Sequence, residues 1–102
     1  MNVSPTIVLL HEHAGVLELI EAALRDRGTR VLGTLDAFEA AEIVRGVKVD
    51  LLVMSRAHNG VASDLRALQT DLSAVVLADE PMWLDEIVDV VVAALPPRRE
   101  RS

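Results

Sequence analysis

Leu51-Leu52-Val53-Met54, led in by Val49-Asp50 and followed by Ser55-Arg56-Ala57-His58-Asn59-Gly60, is the stretch that decides the fold. Apolar residues in unbroken succession, stopping at a polar cluster, mark a short strand covered on both faces, as in a parallel sheet. A second such run, Thr6–Leu10, ends the same way on His11-Glu12-His13. All three histidines of the chain therefore follow apolar runs. In an open parallel sheet the carboxyl ends of the strands form the crevice where ligands bind. These two loops are the candidate functional segments.

Outward from these runs, strand and helix alternate. Residues 14–27 carry Val16, Leu17, Ile20, Ala23 and Leu24 at helical spacing, with Glu18, Glu21, Arg25 and Asp26 opposite and Gly28 as a natural stop. A short strand is expected around Val31-Leu32. Asp36 suits the cap of a second helix with Ala37, Ala40, Ala41 and Val44 inward, ending at Gly46. After the strand at 50–54, Ser63 is expected to cap a short helix carrying Leu65 and Leu68, and a fourth strand covers 74–77. This order predicts an α/β, doubly wound parallel sheet with right-handed crossovers and helices on both faces. The last third reads best as a helix with Leu84, Ile87, Val88, Val91 and Leu95 on one stripe and Trp83, Ile87, Val90 and Ala94 on a second. The alternative is a fifth strand at 90–94 after a short helix at 82–88. Pro96-Pro97 ends either one.

At 102 residues the chain is one domain, able to bury roughly 60–70% of its unfolded surface. We place that domain at 1–97, with 98–102 as a basic tail or the start of a linker. The 51% hydrophobic content is high for so short a chain and implies apolar surface left over for a partner. No apolar run approaches the ~20 residues of a membrane span, and the amino-terminal residues lack the basic region of a signal peptide. Without cysteine there are no disulfides or thiolate metal sites, and a cytoplasmic location is the default expectation. Net charge is −6, and since Arg98, Arg99, Glu100 and Arg101 make the tail +2, residues 1–95 carry −8. Such a body repels phosphate backbones, so nucleic-acid binding by this segment is not expected.

The element order and the strand-end residues resemble a response-regulator receiver domain, the CheY-like variant of the flavodoxin fold, over roughly residues 5–80. The resemblance rests on the strand Thr6-Ile7-Val8-Leu9-Leu10 with its charged loop, on the helix ending in Arg25-Asp26-Arg27-Gly28, and on Val49-Asp50-Leu51-Leu52-Val53-Met54. That last segment looks like the family's lead-in to its phosphorylated aspartate, and Asn59-Gly60 and Val75-Val76-Leu77 keep their places. The resemblance implies a phosphoryl-accepting aspartate beside an acidic pair that holds Mg²⁺, a cation that prefers oxygen ligands. Ser55 stands at the aspartate's position, His11 and Glu12 at the acidic pair, and Ala78 at the switch hydroxyl. The family's lysine has no counterpart, because Lys48, the sole lysine, lies elsewhere. The chain thus resembles a divergent pseudo-receiver, truncated after the fourth strand, with His11, Glu12, Ser55 and Ala78 as a degenerate phosphorylation pocket.

Three functional readings follow. The first is a phosphorylation-independent, non-enzymatic module of two-component signalling that acts by protein–protein contact. It would dimerise through Trp83, Ile87, Val90 and Ala94, or serve a linked output domain as part of a transcriptional regulator, with no cofactor. The second is a metal- or ligand-responsive sensor using His11, His13 and His58 with Glu12, since imidazole and carboxylate suit Zn²⁺ or Ni²⁺. In an extended loop His11 and His13 would point one way and Glu12 the other. The third is phosphoryl transfer at Ser55, which needs a base such as His11 or, less suitably, His58. Asp79-Glu80 fits the dipole of a following helix opened by Pro81. Trp83 suits either the domain's own core or a partner surface.

Overall fold

The computed structural model describes residues 4–69, 72–77 and 83–95. Ala78, Asp79-Glu80, Pro81, Pro96-Pro97 and the arginine tail lie outside the described residues. The chain runs β1 (Thr6–Leu10), α1 (Ala14–Asp26), β2 (Arg30–Thr34), α2 (Ala37–Gly46), β3 (Leu51–Ser55), a 3-10 segment (Arg56–Val61), α3 (Ala62–Arg66), β4 (Ser73–Leu77) and α4 (Leu84–Ala94). The strands form one parallel sheet in the order β2-β1-β3-β4. The doubly wound α/β architecture read from the sequence is the one observed.

The two quoted runs are the interior strands, and every residue of β1 and β3 is buried. Alternation splits them between two cores. Ile7, Leu9, Leu51 and Val53 face α1 and α4, meeting Leu17, Ile20, Leu24, Val88 and Val91. Val8, Leu10, Leu52 and Met54 face α2 and α3, meeting Ala40, Val44 and Leu65. The cores are wholly aliphatic, because both aromatics are outside, Phe38 at 84% and Trp83 at 80% exposure.

Local chemistry fixes the element ends. Gly28 adopts φ +83, and its N–H and that of Thr29 close on the carbonyls of Arg25 and Leu24, a left-handed stop that only glycine enters freely. The Thr29 hydroxyl adds a buried bond of 2.7 Å to the Leu24 carbonyl. Asp36 caps α2 as expected, its carboxylate accepting from Phe38 N–H at 2.9 Å.

The structure departs from the sequence reading at Ser63, Val16 and Trp83. Ser63 does not cap α3: the 3-10 segment runs straight into the helix, so Val61 (φ −98, ψ 0) is already helical and no extended residue remains to cap. Val16 lies on the rim of α1 and is 38% exposed rather than buried. The last segment, by contrast, is the single helix the sequence favoured; the alternative strand at 90–94 does not form, and β4 is the outer strand of the sheet among the described residues. Finally, Trp83 is not core. It precedes the first turn of α4 in an extended conformation, while Leu84, Val88 and Val91 fill the slot over the sheet. Its N–H donates to the Glu86 carboxylate at 3.0 Å, half of a capping box, since an indole cannot accept the reciprocal bond.

Candidate functional site: the strand-end crevice

Parallel register brings the loops together. Leu10 is level with Met54 and Ser55 with Leu77, so His11, Glu12 and Ser55 meet at the carboxyl end of the sheet. The loop after β1 is not extended. His13 N–H donates to His11 Nδ1 at 3.0 Å, a local turn that bends the chain at Glu12. The His11 and His13 rings share one side, 5.8 Å apart. Glu12, expected to point away, instead swings its carboxylate beside Ser55 and to 3.6 Å from His11 Nδ1.

Because Nδ1 accepts a hydrogen bond, the His11 proton belongs on Nε2 and the ring is neutral. Burial drives the His11 pKa below its ordinary value; Glu12 opposes that shift, while His13 and His58 reinforce it. The Glu12 contact is therefore not an ion pair at neutral pH. The Ser55 hydroxyl, with the backbone N–H of Glu12, holds the Glu12 carboxyl below its usual value. Even so, Ser55 Oγ is buried with no partner at hydrogen-bonding geometry, and so is His58 Nε2. A nucleophilic serine needs a base bonded to it, and neither His11 nor His58 fills that role.

Among the described residues no three His, Asp or Glu side chains gather into a group that could hold a metal ion. His11, His13 and His58 reach the same end of the sheet without gathering into such a group. A shallow cleft of about 480 Å³ lies at the opposite end of the sheet, between Val44, Lys48, Leu68 and Gln69.

The depressed His11 pKa has a measurable sign. The folded state binds fewer protons at this site than the unfolded chain, so stability falls as pH drops below about 6.5 toward the folded value. Urea midpoints of wild type and His11→Gln, measured between about pH 5 and 7.5, are expected to converge as the pH falls. Parallel pH profiles for the two proteins would refute the assignment.

Two further side chains hold the strands leading to this site; Asp50 stood out in the sequence only as part of a lead-in, and Gln69 not at all. Asp50 ties β1 to β3, accepting from Thr6 N–H at 2.8 Å while its own N–H donates to the Thr6 carbonyl at 2.9 Å. Gln69 ties the α3–β4 connection to the α2–β3 turn through three bonds to backbone.

An open, doubly wound parallel sheet with two loops meeting at its carboxyl end defines a class of α/β domain. No protein-family model matches the chain and no curated protein matches it. Solved structures do. A response regulator from Thermotoga maritima is similar at 21% identity and TM-score 0.66, over 91% of this chain and 80% of that one. The receiver domain of the hybrid histidine kinase CckA is similar at 19% and 0.65, over 86% of this chain and 96% of that one. A response regulator receiver protein from Pseudomonas putida is similar at 22% and 0.65, over 93% and 84%. The fold of this chain is the receiver-domain fold. No helix among the described residues is long and apolar enough to cross a membrane.

Proposed function

We propose that this chain is a phosphorylation-independent regulatory module that keeps the receiver scaffold and works by protein–protein contact, without enzymatic activity of its own. The observation that carries this reading is Ser55, a buried hydroxyl without a partner at the end of β3. Phosphoryl acceptance there requires a carboxylate nucleophile and further oxygen ligands for Mg²⁺. The His11–Glu12 segment brings one carboxylate, and its neighbour is a neutral imidazole. Incubation with acetyl phosphate and Mg²⁺ is expected to leave the protein unlabelled; stable incorporation at Ser55 would end this reading.

The contact itself is assigned to α4. Of the residues Trp83, Ile87, Val90 and Ala94, the first and third are exposed, at 80% and 43%, while Ile87 and Ala94 rest partly on the core. A homodimer formed by this stripe has twice the 11.1 kDa of one chain. Light scattering is expected to give that mass for wild type and a monomer for Val90→Asp. Equal monomeric masses would remove the dimer. The basic tail suits a linker to an output domain, including that of a transcriptional regulator.

A further inference from the structure

The two borders of the sheet are finished differently. Arg30 N–H donates to the Pro5 carbonyl and the Thr34 carbonyl accepts from His11, so Val31 and Gly33 turn their backbone groups outward from β2. The Val31 carbonyl is capped there by Arg25 Nη2 at 3.1 Å. Glu21 lies so close to the same border that a Cβ on Gly33 would come within 2.5 Å of its carboxylate. At the other border the same reasoning applies to β4. Asp50 N–H reaches Thr6, so Leu51, Val53 and Ser55 address β4. With Val53 level with Val75, the ladder uses the amides of Ala74 and Val76 and leaves those of Ser73, Val75 and Leu77 facing outward. No described residue bonds to them. The strand Ser73-Ala74-Val75-Val76-Leu77 also has no charge, proline or bulge, the devices that ordinarily protect an edge.

The α4 stripe borders this same edge. Asp89 pairs with Arg27 at the end of α1, at 3.4 Å, so the α1 side of α4 is the side of Asp85 and Asp89. At 3.6 residues per turn, Trp83, Ile87, Val90 and Ala94 occupy the opposite flank, above the outer strand. Among the described residues, backbone without a partner below and apolar side chains above lie side by side.

We propose that a second copy of this chain occupies it, the two β4 strands pairing antiparallel about Val75 so that the sheets join across a two-fold axis. This rests on the dimer reading and specifies its geometry. Pairing about Val75 sets Ser73 opposite the partner's Leu77, so every outward N–H meets an outward carbonyl. The seam is uncharged, the two Trp83–Val90 flanks meet over it, and Asp85 and Asp89 are turned away. Such an interface is self-complementary and closes on itself.

Hydrogen exchange at rising protein concentration, with mass measured alongside, tests this. The Val75 and Leu77 amides are expected to be fast in dilute monomer and to slow in step with dimer formation. Ser73→Pro removes an outward donor and no ladder bond within the protomer, and is expected to weaken the dimer about tenfold or more. Because Asp71 and Asp79 bracket the strand in sequence, salt is expected to strengthen association, and weakening by salt counts against this geometry. A dimer whose Val75 and Leu77 amides stay fast overturns the strand pairing and spares the α4 contact. Slow exchange of these amides in the monomer shows that the chain covers its own edge, and a monomer at every concentration ends both. If Ser73→Pro does not fold, the wild-type exchange data decide.

Discussion

Gln69→Ala is expected to lower the unfolding free energy by about 2–4 kcal/mol. Gln69 Nε2 donates to the carbonyls of Val44 and Val47 at 2.6 and 2.7 Å, and its Oε1 accepts from Val49 N–H at 3.2 Å. Those backbone groups sit where α2 gives way to β3, in a turn whose carbonyls have no helical partner. Truncation strands two acceptors and a donor in a half-buried turn, and each costs more unsatisfied than its bond contributes net. For a domain of this size the melting temperature should drop by about 10 °C or more. Gln69→Glu sharpens the test. It keeps the acceptor for Val49 but turns a carboxylate on two carbonyls at a helix carboxyl terminus, where negative charge is unfavourable. That variant should be at least as damaged at neutral pH and should recover partly in acid. Wild-type-like melting of both variants would show that the clamp contributes nothing.

Ser55→Asp is the second large effect, a loss of about 2–4 kcal/mol at neutral pH. Ser55 is 5% exposed and lies beside Glu12. Burial and the neighbouring carboxylate both push a new carboxyl upward from its ordinary value. The folded state then holds the proton more tightly than the unfolded chain. Destabilisation therefore grows as pH rises above about 4 and is relieved in acid. Ser55→Ala behaves in the opposite way. It removes a hydroxyl with no partner at hydrogen-bonding geometry, so it should be neutral within about 1 kcal/mol, while the Glu12 carboxyl loses the main influence that holds its pKa down. Urea titration of both variants at two pH values separates these outcomes. An undamaged Ser55→Asp would mean that the end of β3 is already suited to a carboxylate.

The fold was legible because the strongest signals are redundant. Ile7–Leu10 and Leu51–Met54 are apolar at every position and end on polar clusters, a pattern and length that suit a strand covered on both faces. Leu17, Ile20 and Leu24 mark their face by spacing alone, and Asp36 and Gly28 mark the ends of their helices by conformational preference. The convergence of His11 and Ser55 followed from strand parity. What escaped was chemistry without periodicity. Gln69 is a lone amide in a connection, and nothing in its neighbours shows that it serves three backbone groups. The direction of Glu12 turned on one local bond from His13 N–H to the His11 ring. Trp83 was ambiguous because bulk argues for burial, whereas its place one residue before a helix puts it off the buried stripe. The unequal finish of the sheet borders was likewise hidden, since it depends on which amides point outward.

That inequality governs how far association can proceed. If two copies join at β4, the merged sheet ends on β2 at both extremities. There Arg25 engages one of the two outward carbonyls, that of Val31. A strand adding there must first displace a charged side chain, so a second addition is less favourable than the first, and the filaments that an unguarded strand in a protein of 51% hydrophobic content would seed are disfavoured.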